Sequence, residues 1–103
     1  MAKPKLRKLI TTEVRGIEYR SDVRWMRELK PKTRLHIERE PDNSFDSHAV
    51  RVHSPGPHHL GYLPREIAPI ISKLLQLGFP IHARVVEVVP RAAWLKIDVW
   101  LLF

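Results

Sequence analysis

Every second position near the end of this sequence carries an apolar side chain: Leu95, Ile97, Val99, Leu101 and Phe103. The positions between them hold Trp94, Lys96, Asp98 and Trp100. A period of two places one set on each face of a β-strand. The same alternation occurs over residues 34–39 and at Ile81, Ala83 and Val85. The chain is therefore expected to be mainly β, with strands that bury one face.

Other strands are indicated by β-branched runs between turn-forming residues. Residues 8–17 predict a strand that bends or bulges at Gly16, residues 49–53 and 60–63 predict two more, and the Val85-Val86 pair predicts a bulge. Turns are predicted at Lys30-Pro31, at residues 54–57 and at residues 90–93.

One segment has the period of a helix, with apolar residues three and four apart: Ile67, Ile70, Ile71, Leu74 and Leu75. Pro64 suits a first helical turn and Gly78 suits a stop, whereas Pro69 would disrupt a helix interior. We therefore expect a short turn from Pro64 and a main helix from about Pro69 to Leu77. Strands, one helix and further strands together favour a small, mainly antiparallel barrel capped by the helix.

Length and charge limit the function. The 103 residues suit one domain, and the net charge is +7. Residues 1–40 hold twelve basic and six acidic side chains, so most of the excess lies there. A polyanionic partner such as nucleic acid explains this clustering, and the alternative is an ordinary solvated surface.

The residues also exclude several classes of protein. There is no cysteine, which rules out disulfides and suits a reducing compartment. The sequence has no secretory signal and no apolar run long enough for a membrane helix, so we expect a cytoplasmic protein with no membrane partner. It also lacks the motifs of serine hydrolases, P-loop ATPases and zincins, and its six histidines have no spacing with a single ligating face. We expect no catalytic residue, no metal site and no cofactor.

A binding surface is easier to assemble. Tyr19 lies beside Arg20, Phe45 lies in a turn-rich loop, and Tyr62 precedes Pro64-Arg65. Cations with neighbouring aromatics are typical of single-stranded nucleic-acid binding, although both Phe45 and Tyr62 could instead belong to the core.

Acidic and amide side chains fill the same loop: Asp42, Asn43 and Asp46. Such side chains commonly bond backbone amides and hold a loop in shape. A carboxylate would repel phosphate, so a functional Asp46 would have to face a donor such as a sugar hydroxyl or a base edge.

Three stretches resemble the HIRAN domain: residues 16–20, residues 35–52 with Arg39-Glu40-Pro41-Asp42-Asn43-Ser44-Phe45-Asp46, and residues 61–68 with Gly61-Tyr62-Leu63-Pro64-Arg65. The resemblance spans about residues 9–100. It implies an OB-like β-barrel of about six strands with a helical insertion. It also implies binding of single-stranded DNA at the end that carries a 3′-hydroxyl. The chain looks like a stand-alone bacterial version of a domain that often precedes helicase-type ATPases.

The resemblance also implies roles for single residues. Tyr19 matches an aromatic at the terminal nucleotide, Phe45 matches the aromatic that stacks on a base, and Asp46 matches the acceptor of the 3′-hydroxyl. Asn43 matches the loop amide, and Arg65 matches a phosphate contact. The set of nucleic-acid-binding residues that we predict is Tyr19, Arg20, Asn43, Phe45, Asp46, Tyr62 and Arg65. Glu18 stands where fork-remodelling members have arginine.

We thus expect a basic arm over residues 1–8 and one HIRAN-like domain over residues 9–103. The predicted function is non-enzymatic binding of single-stranded DNA, linked to DNA repair or replication-fork processing. Its expected partners are DNA 3′ ends and a helicase or ATPase in trans. One alternative is a protein-interaction or homodimer module that uses Trp94 and Trp100 on an exposed side or edge of the last strand. Another is an RNA-binding domain with the same surface.

Overall fold

The computed structural model describes residues 5–19 and 24–102, and within these residues there are six strands and one α-helix. In chain order they are β1 (Leu6–Glu13), β2 (Arg34–Arg39), β3 (Val50–His53), β4 (His59–Tyr62), α1 (Ala68–Gln76), β5 (Ile81–Val89) and β6 (Trp94–Leu102). Short 3₁₀ turns cover Ile17–Tyr19, Arg24–Glu28 and Pro90–Ala92. The mainly β fold with one main helix is confirmed. No helix of the described residues has the length and apolar character needed to cross a bilayer.

The strands form one antiparallel sheet in the order β1-β6-β5-β2-β3-β4. Residues 6–8 belong to β1, where they pair with residues 100–102. The alternative in which the last strand serves as an edge is wrong, because β6 is paired on both sides, with β1 and with β5. Trp94 and Trp100 are half-buried on this central strand.

The two edges of the sheet approach each other at one point. Arg15, just after β1, exchanges backbone hydrogen bonds of 2.7 and 2.9 Å with Tyr62 on β4. No continuous ladder joins β1 to β4 in the described residues, so the sheet is curved and barrel-like without full closure. Gly61 permits the approach, since a Cβ atom there would lie 2.3 Å from the Arg15 carbonyl oxygen.

The core lies on the inner face of this curved sheet. Leu95, Ile97 and Val99 have no exposed surface, which confirms the alternation in the last strand. Leu101 is half-buried, and Phe103 lies outside the described residues. The other large side chains that are fully buried come from five further parts of the chain: Ile17, Met26, Leu35, Val50, Val52 and Leu60.

Helix α1 closes one end of the core. It begins at Ala68, one residue before the predicted start, with Pro69 in its first turn, where the missing N–H has no intrahelical partner to lose. Ala68, Ile71 and Ser72 are buried. Arg39 Nε donates a hydrogen bond of 3.2 Å to Ser72 Oγ, which ties the end of β2 to the helix. Gly78 follows the helix with a φ of 88°, as its predicted role as a stop requires.

Two predictions about irregular strands have different outcomes. The bulge at Val86 is confirmed, because the register of β5 against β6 shifts between Val85 and Glu87. The prediction of a bend or bulge within a strand at Gly16 is wrong, since β1 ends at Glu13 and its bulge lies between Lys8 and Ile10. Gly16 instead directly precedes the 3₁₀ turn Ile17–Tyr19, with a φ of 84° that favours glycine.

Candidate nucleic-acid interface

An open pocket of about 550 Å³ lies where the loop between β2 and β3 meets the turn after β1 and the segment after β4. Its lining includes six of the seven predicted site residues: Tyr19, Asn43, Phe45, Asp46, Tyr62 and Arg65. Arg20, the seventh, lies outside the described residues. Residues that sequence reasoning did not select also line the pocket: Arg15, Gly16, Glu18, Ala49 and Leu63. Three separate parts of the chain thus contribute to one concave surface.

Tyr19 and Phe45 are unusually exposed for aromatic residues. Each has 86 % of its surface exposed, and both line the pocket. This exposure excludes Phe45 as the apolar plug of its own loop. Large side chains left in water at the edge of a pocket are typical of a binding surface, and two flat rings supply faces on which bases can stack.

Asn43 holds the loop between β2 and β3 in shape. Its Oδ1 accepts hydrogen bonds from the backbone N–H groups of Phe45 at 2.9 Å and Asp46 at 3.0 Å. Its Nδ2 donates to Glu40 Oε1 at 2.8 Å. An asparagine that bonds the backbone two and three residues later fixes a turn. The side chain of Asn43 therefore positions both the exposed ring of Phe45 and the carboxylate of Asp46.

Asp46 is half-exposed, and one of its carboxylate oxygens is hydrogen-bonded within the loop. Its Oδ1 accepts the N–H of His48 at 2.9 Å, and its carbonyl oxygen accepts the N–H of Ala49 at 3.1 Å. An ionised carboxylate has about four lone-pair sites, so one bond from His48 leaves it able to accept others. The arrangement presents a fixed anionic acceptor at the pocket.

Glu40 does not line the pocket, but it bonds two residues that do, and sequence reasoning did not select it. Its Oε1 accepts hydrogen bonds from Asn43 Nδ2 and from Tyr62 Oη at 2.9 Å, while Arg51 Nη1 lies 3.8 Å from Oε2. Burial opposes ionisation of Glu40, but the bonds from Asn43 and Tyr62 and the charge of Arg51 outweigh it and lower the pKa of its carboxyl. Glu40 could have been selected from the alternation of side chains along β2, which puts Glu38 and Glu40 on one face opposite Arg51.

Tyr62 is half-buried and belongs to this support. Its hydroxyl donates to Glu40, and its ring meets that of His59 edge-on with centroids 5.0 Å apart. Because its backbone also joins the two edges of the sheet, Tyr62 connects the closure of the fold to the wall of the pocket.

The charges at the pocket have both signs. Arg15 and Arg65 are exposed cations on its lining, and Glu18 is an exposed anion beside Tyr19. Arginine binds phosphate groups through a planar fork of donors. The pocket can therefore hold phosphates at its cations, stack bases on its rings and accept a hydroxyl proton at Asp46.

Histidines form a row beside the site without forming a metal centre. His36, His53 and His59 are neighbours in register across β2, β3 and β4. The rings of His53 and His59 stack with centroids 5.2 Å apart. In the part of the chain that the structure describes, no three histidines or carboxylates are arranged to bind a metal ion.

Comparisons with known proteins agree with this fold. The HIRAN domain family matches residues 8–102. A crystal structure of a protein from Lactobacillus plantarum is similar in fold, with a TM-score of 0.89, 24% identity and coverage of 97% of this chain and 98% of that one. The HIRAN domain of human HLTF is also similar, with a TM-score of 0.76, 18% identity and coverage of 90% and 74%. No curated protein matches the sequence. The chain belongs to the HIRAN domain family, whose members are DNA-binding modules rather than catalytic domains.

Proposed function

We propose that this protein binds single-stranded DNA in the pocket between the turn after β1, the end of β4 and the loop after β2, and that it captures the end with a 3′-hydroxyl. The observation that carries the proposal is the meeting of two aromatic rings, each 86 % exposed, with Asp46 and Arg65 on one concave surface. Stacking of a base on such a ring contributes about 1–3 kcal/mol and tolerates any sequence. The protein acts as a binding module and not as an enzyme.

Each part of the pocket recognises a different part of the DNA. Tyr19 and Phe45 stack on the last bases, and Arg65, with Arg20 and Arg15, contacts the backbone phosphates. Asp46 accepts a hydrogen bond from the terminal hydroxyl, and Asn43 and Tyr62 hold this arrangement through Glu40. A terminal phosphate would place an anion against the Asp46 carboxylate, so the pocket selects a strand that ends in a hydroxyl.

The end chemistry of an oligonucleotide gives the sharpest test. Two labelled single strands of one sequence, one ending in a 3′-hydroxyl and the other in a 3′-phosphate, are compared by fluorescence anisotropy. We expect the phosphate to weaken binding about tenfold or more, since hydrogen bonds to charged groups contribute about 1.5–3 kcal/mol. Equal affinities for the two strands would contradict capture of the 3′ end.

Two variants test whether the preference for a 3′-hydroxyl depends on the carboxylate of Asp46. Asp46→Asn removes the charge but keeps Oδ1 as an acceptor for His48, so the loop is retained while the preference for a hydroxyl is lost. Asp42→Asn changes an exposed carboxylate of the same loop that does not line the pocket, and it should keep the preference. Loss of the preference in both variants would show a general charge effect.

The cellular role follows from the ligand. Free 3′ ends arise during DNA repair and at stalled replication forks, and we propose that the protein acts there, beside a helicase-type ATPase on another chain. An RNA strand of the same sequence, added as competitor, separates this role from RNA binding. Stronger competition by RNA than by DNA would assign the pocket to RNA.

A further inference from the structure

A second group of cations lies on the outer face of strands β1, β6, β5 and β2. It consists of Lys8, Arg34 and Arg84, with His82 beside them, around Trp100, and we name it the outer basic cluster. In register, Trp100 lies between Lys8 and His82, and Arg84 lies directly opposite Arg34. The cluster shares no residue with the pocket that contains Phe45 and Asp46.

The side chains of the outer basic cluster are close to one another. The guanidinium carbon of Arg84 lies 5.4 Å from the centroid of the Trp100 ring, and Lys8 Nζ lies 5.8 Å from it. Arg34 Nη2 lies 2.5 Å from His82 Nδ1. Arg34, His82 and Arg84 line a shallow depression of about 210 Å³, bordered by Leu6 and Leu102. The two arginines therefore line a concave surface with an apolar rim.

The acidic residue opposite Arg84 is hydrogen-bonded to a different side chain. Like charges directly opposite each other on paired strands destabilise a sheet. Asp98, the residue across from Arg84 on β6, accepts a hydrogen bond from Thr11 Oγ1. Among the described residues, neither Arg34 nor Arg84 has a carboxylate within 4.0 Å, and the ion pairs found there involve Arg51. A bound anion would relieve this repulsion.

His82 contributes a donor to the same surface. Burial, and then the charges of Arg34 and Arg84, lower the pKa of its imidazole and so favour the neutral ring. Because Nδ1 faces the donor Nη2 of Arg34, the ring proton belongs on Nε2. Two guanidinium groups and an imidazole N–H are all donors, a combination that suits the oxygens of a phosphate group.

We propose that the outer basic cluster is a second nucleic-acid surface, which binds backbone phosphates of a strand without using its end. Lys8 and Arg34 are three strand spacings apart, about 14 Å across the sheet. That reach exceeds one phosphate ion and suits a chain of several phosphates. The membership of this chain in a DNA-binding family and its net charge of +7 favour nucleic acid over an acidic protein.

Circular single-stranded DNA tests this surface because a circle has no 3′ end. Binding of the whole chain to the circle is measured by anisotropy over a series of salt concentrations. We expect the double variant Arg34→Gln/Arg84→Gln to bind at least tenfold more weakly and to reduce the salt slope by about 1.4, or 0.7 for each lost contact.

A matched charge control is available. Lys73→Gln/Arg91→Gln removes the same two charges from exposed positions outside both surfaces, and it should retain binding to the circle. An equal loss in this control would overturn the proposal, as would unchanged binding by Arg34→Gln/Arg84→Gln.

A measurement on the unaltered protein distinguishes the source of the phosphate. The imidazole NMR signals of His82 should shift when the circle is added and should shift much less with inorganic phosphate at the same phosphate concentration. A full shift with inorganic phosphate and none with the circle would assign the site to the free ion and overturn the nucleic-acid proposal. The 3′-end assay of the pocket uses linear strands and different variants. The proposal for the pocket and the proposal for the outer basic cluster can therefore be contradicted independently of each other.

Discussion

Tyr62 Oη donates a hydrogen bond of 2.9 Å to Glu40 Oε1, joining β4 to the residue that follows β2. The bond links the wall of the pocket to the base of the loop that carries Phe45 and Asp46. Tyr62→Phe removes this donor and keeps the ring. We expect the free energy of unfolding to fall by about 1 kcal/mol, as for a partly exposed bond to a charged acceptor. Urea denaturation measures it, and an unchanged midpoint would contradict a supporting role.

Asn43 is predicted to matter for binding through the loop and not through contact alone. Asn43→Ala leaves the N–H groups of Phe45 and Asp46 without their side-chain acceptor. The loop should lose its fixed shape, and discrimination between a 3′-hydroxyl and a 3′-phosphate should fall severalfold. Asn43→Asp restores the acceptor but sets a second carboxylate against Glu40, so partial recovery is expected. The anisotropy assay described above measures both variants. Full discrimination by Asn43→Ala would contradict this role.

Gly61 is predicted to tolerate no larger residue. A Cβ atom there would lie 2.3 Å from the Arg15 carbonyl oxygen and 2.8 Å from Val14 Cγ1. Gly61→Ala should therefore force β4 away from the chain after β1 and lower the free energy of unfolding by about 2 kcal/mol or more. At Gly56 the nearest atom, Ser54 Oγ, is 3.7 Å from such a Cβ, so Gly56→Ala is the control. Thermal unfolding compares them, and equal melting temperatures would contradict the close approach.

Acid should weaken the fold through Glu38 and Glu40. The hydrogen bond from Arg51 is the main cause that lowers the pKa of Glu38, and at Glu40 the bonds from Asn43 and Tyr62 outweigh burial. Both groups thus bind protons less readily in the folded chain than in the unfolded chain. Their contribution is complete above the ordinary value of 4.5 and is lost as pH falls through the lowered values.

Arg51→Gln provides the comparison for that pH dependence. It removes the partner of both carboxylates, so the unfolding free energy should decline less steeply between pH 5 and pH 3 than in the parent protein. Urea titrations at several pH values measure the slope. Identical slopes in the two proteins would place the acid sensitivity elsewhere.

His82 should titrate below its ordinary value of 6.5, because burial and then the charges of Arg34 and Arg84 disfavour its cation. In the folded state it takes up its proton at lower pH than in the unfolded state, so it lowers stability as pH falls below 6.5. Arg34→Gln should raise the pKa of His82 toward 6.5, and NMR titration of the imidazole measures it. A pKa that does not move would show that the charge of Arg34 does not contribute to the lowered pKa of His82.

Local patterns predicted much of the fold. The limits of β2, the start of α1 within one residue and the bulge at Val86 all follow from features that neighbouring residues determine, such as the period of two or the position of Pro69. The order of the strands was beyond this reasoning. The pairing of β1 with β6 depends on contacts between distant residues, which is why the alternative hypothesis could wrongly place the last strand at an edge.

The site residues likewise divide into those that local sequence patterns predicted and those that depend on contacts between distant residues. Sequence patterns and the resemblance to the HIRAN domain selected residues that line one pocket, because the motif of the loop is local. Glu40 and Arg15 were missed, since their positions depend on the bridge between Arg15 and Tyr62 and on bonds between β2, β3 and β4. Neither residue type is unusual at its place in the sequence.

The pairing of β1 with β6 also affects how the chain reaches its folded state. Leu6 pairs with Leu102, so the first strand finds its partner only after nearly all the residues described have left the ribosome. Pairing between residues so far apart closes a very long loop and slows folding. During synthesis, the backbone amides of β1 therefore have no partner in β6 until the β5–β6 hairpin emerges from the ribosome. Nascent chains that stall before β6 should be the ones most exposed to chaperones and proteases.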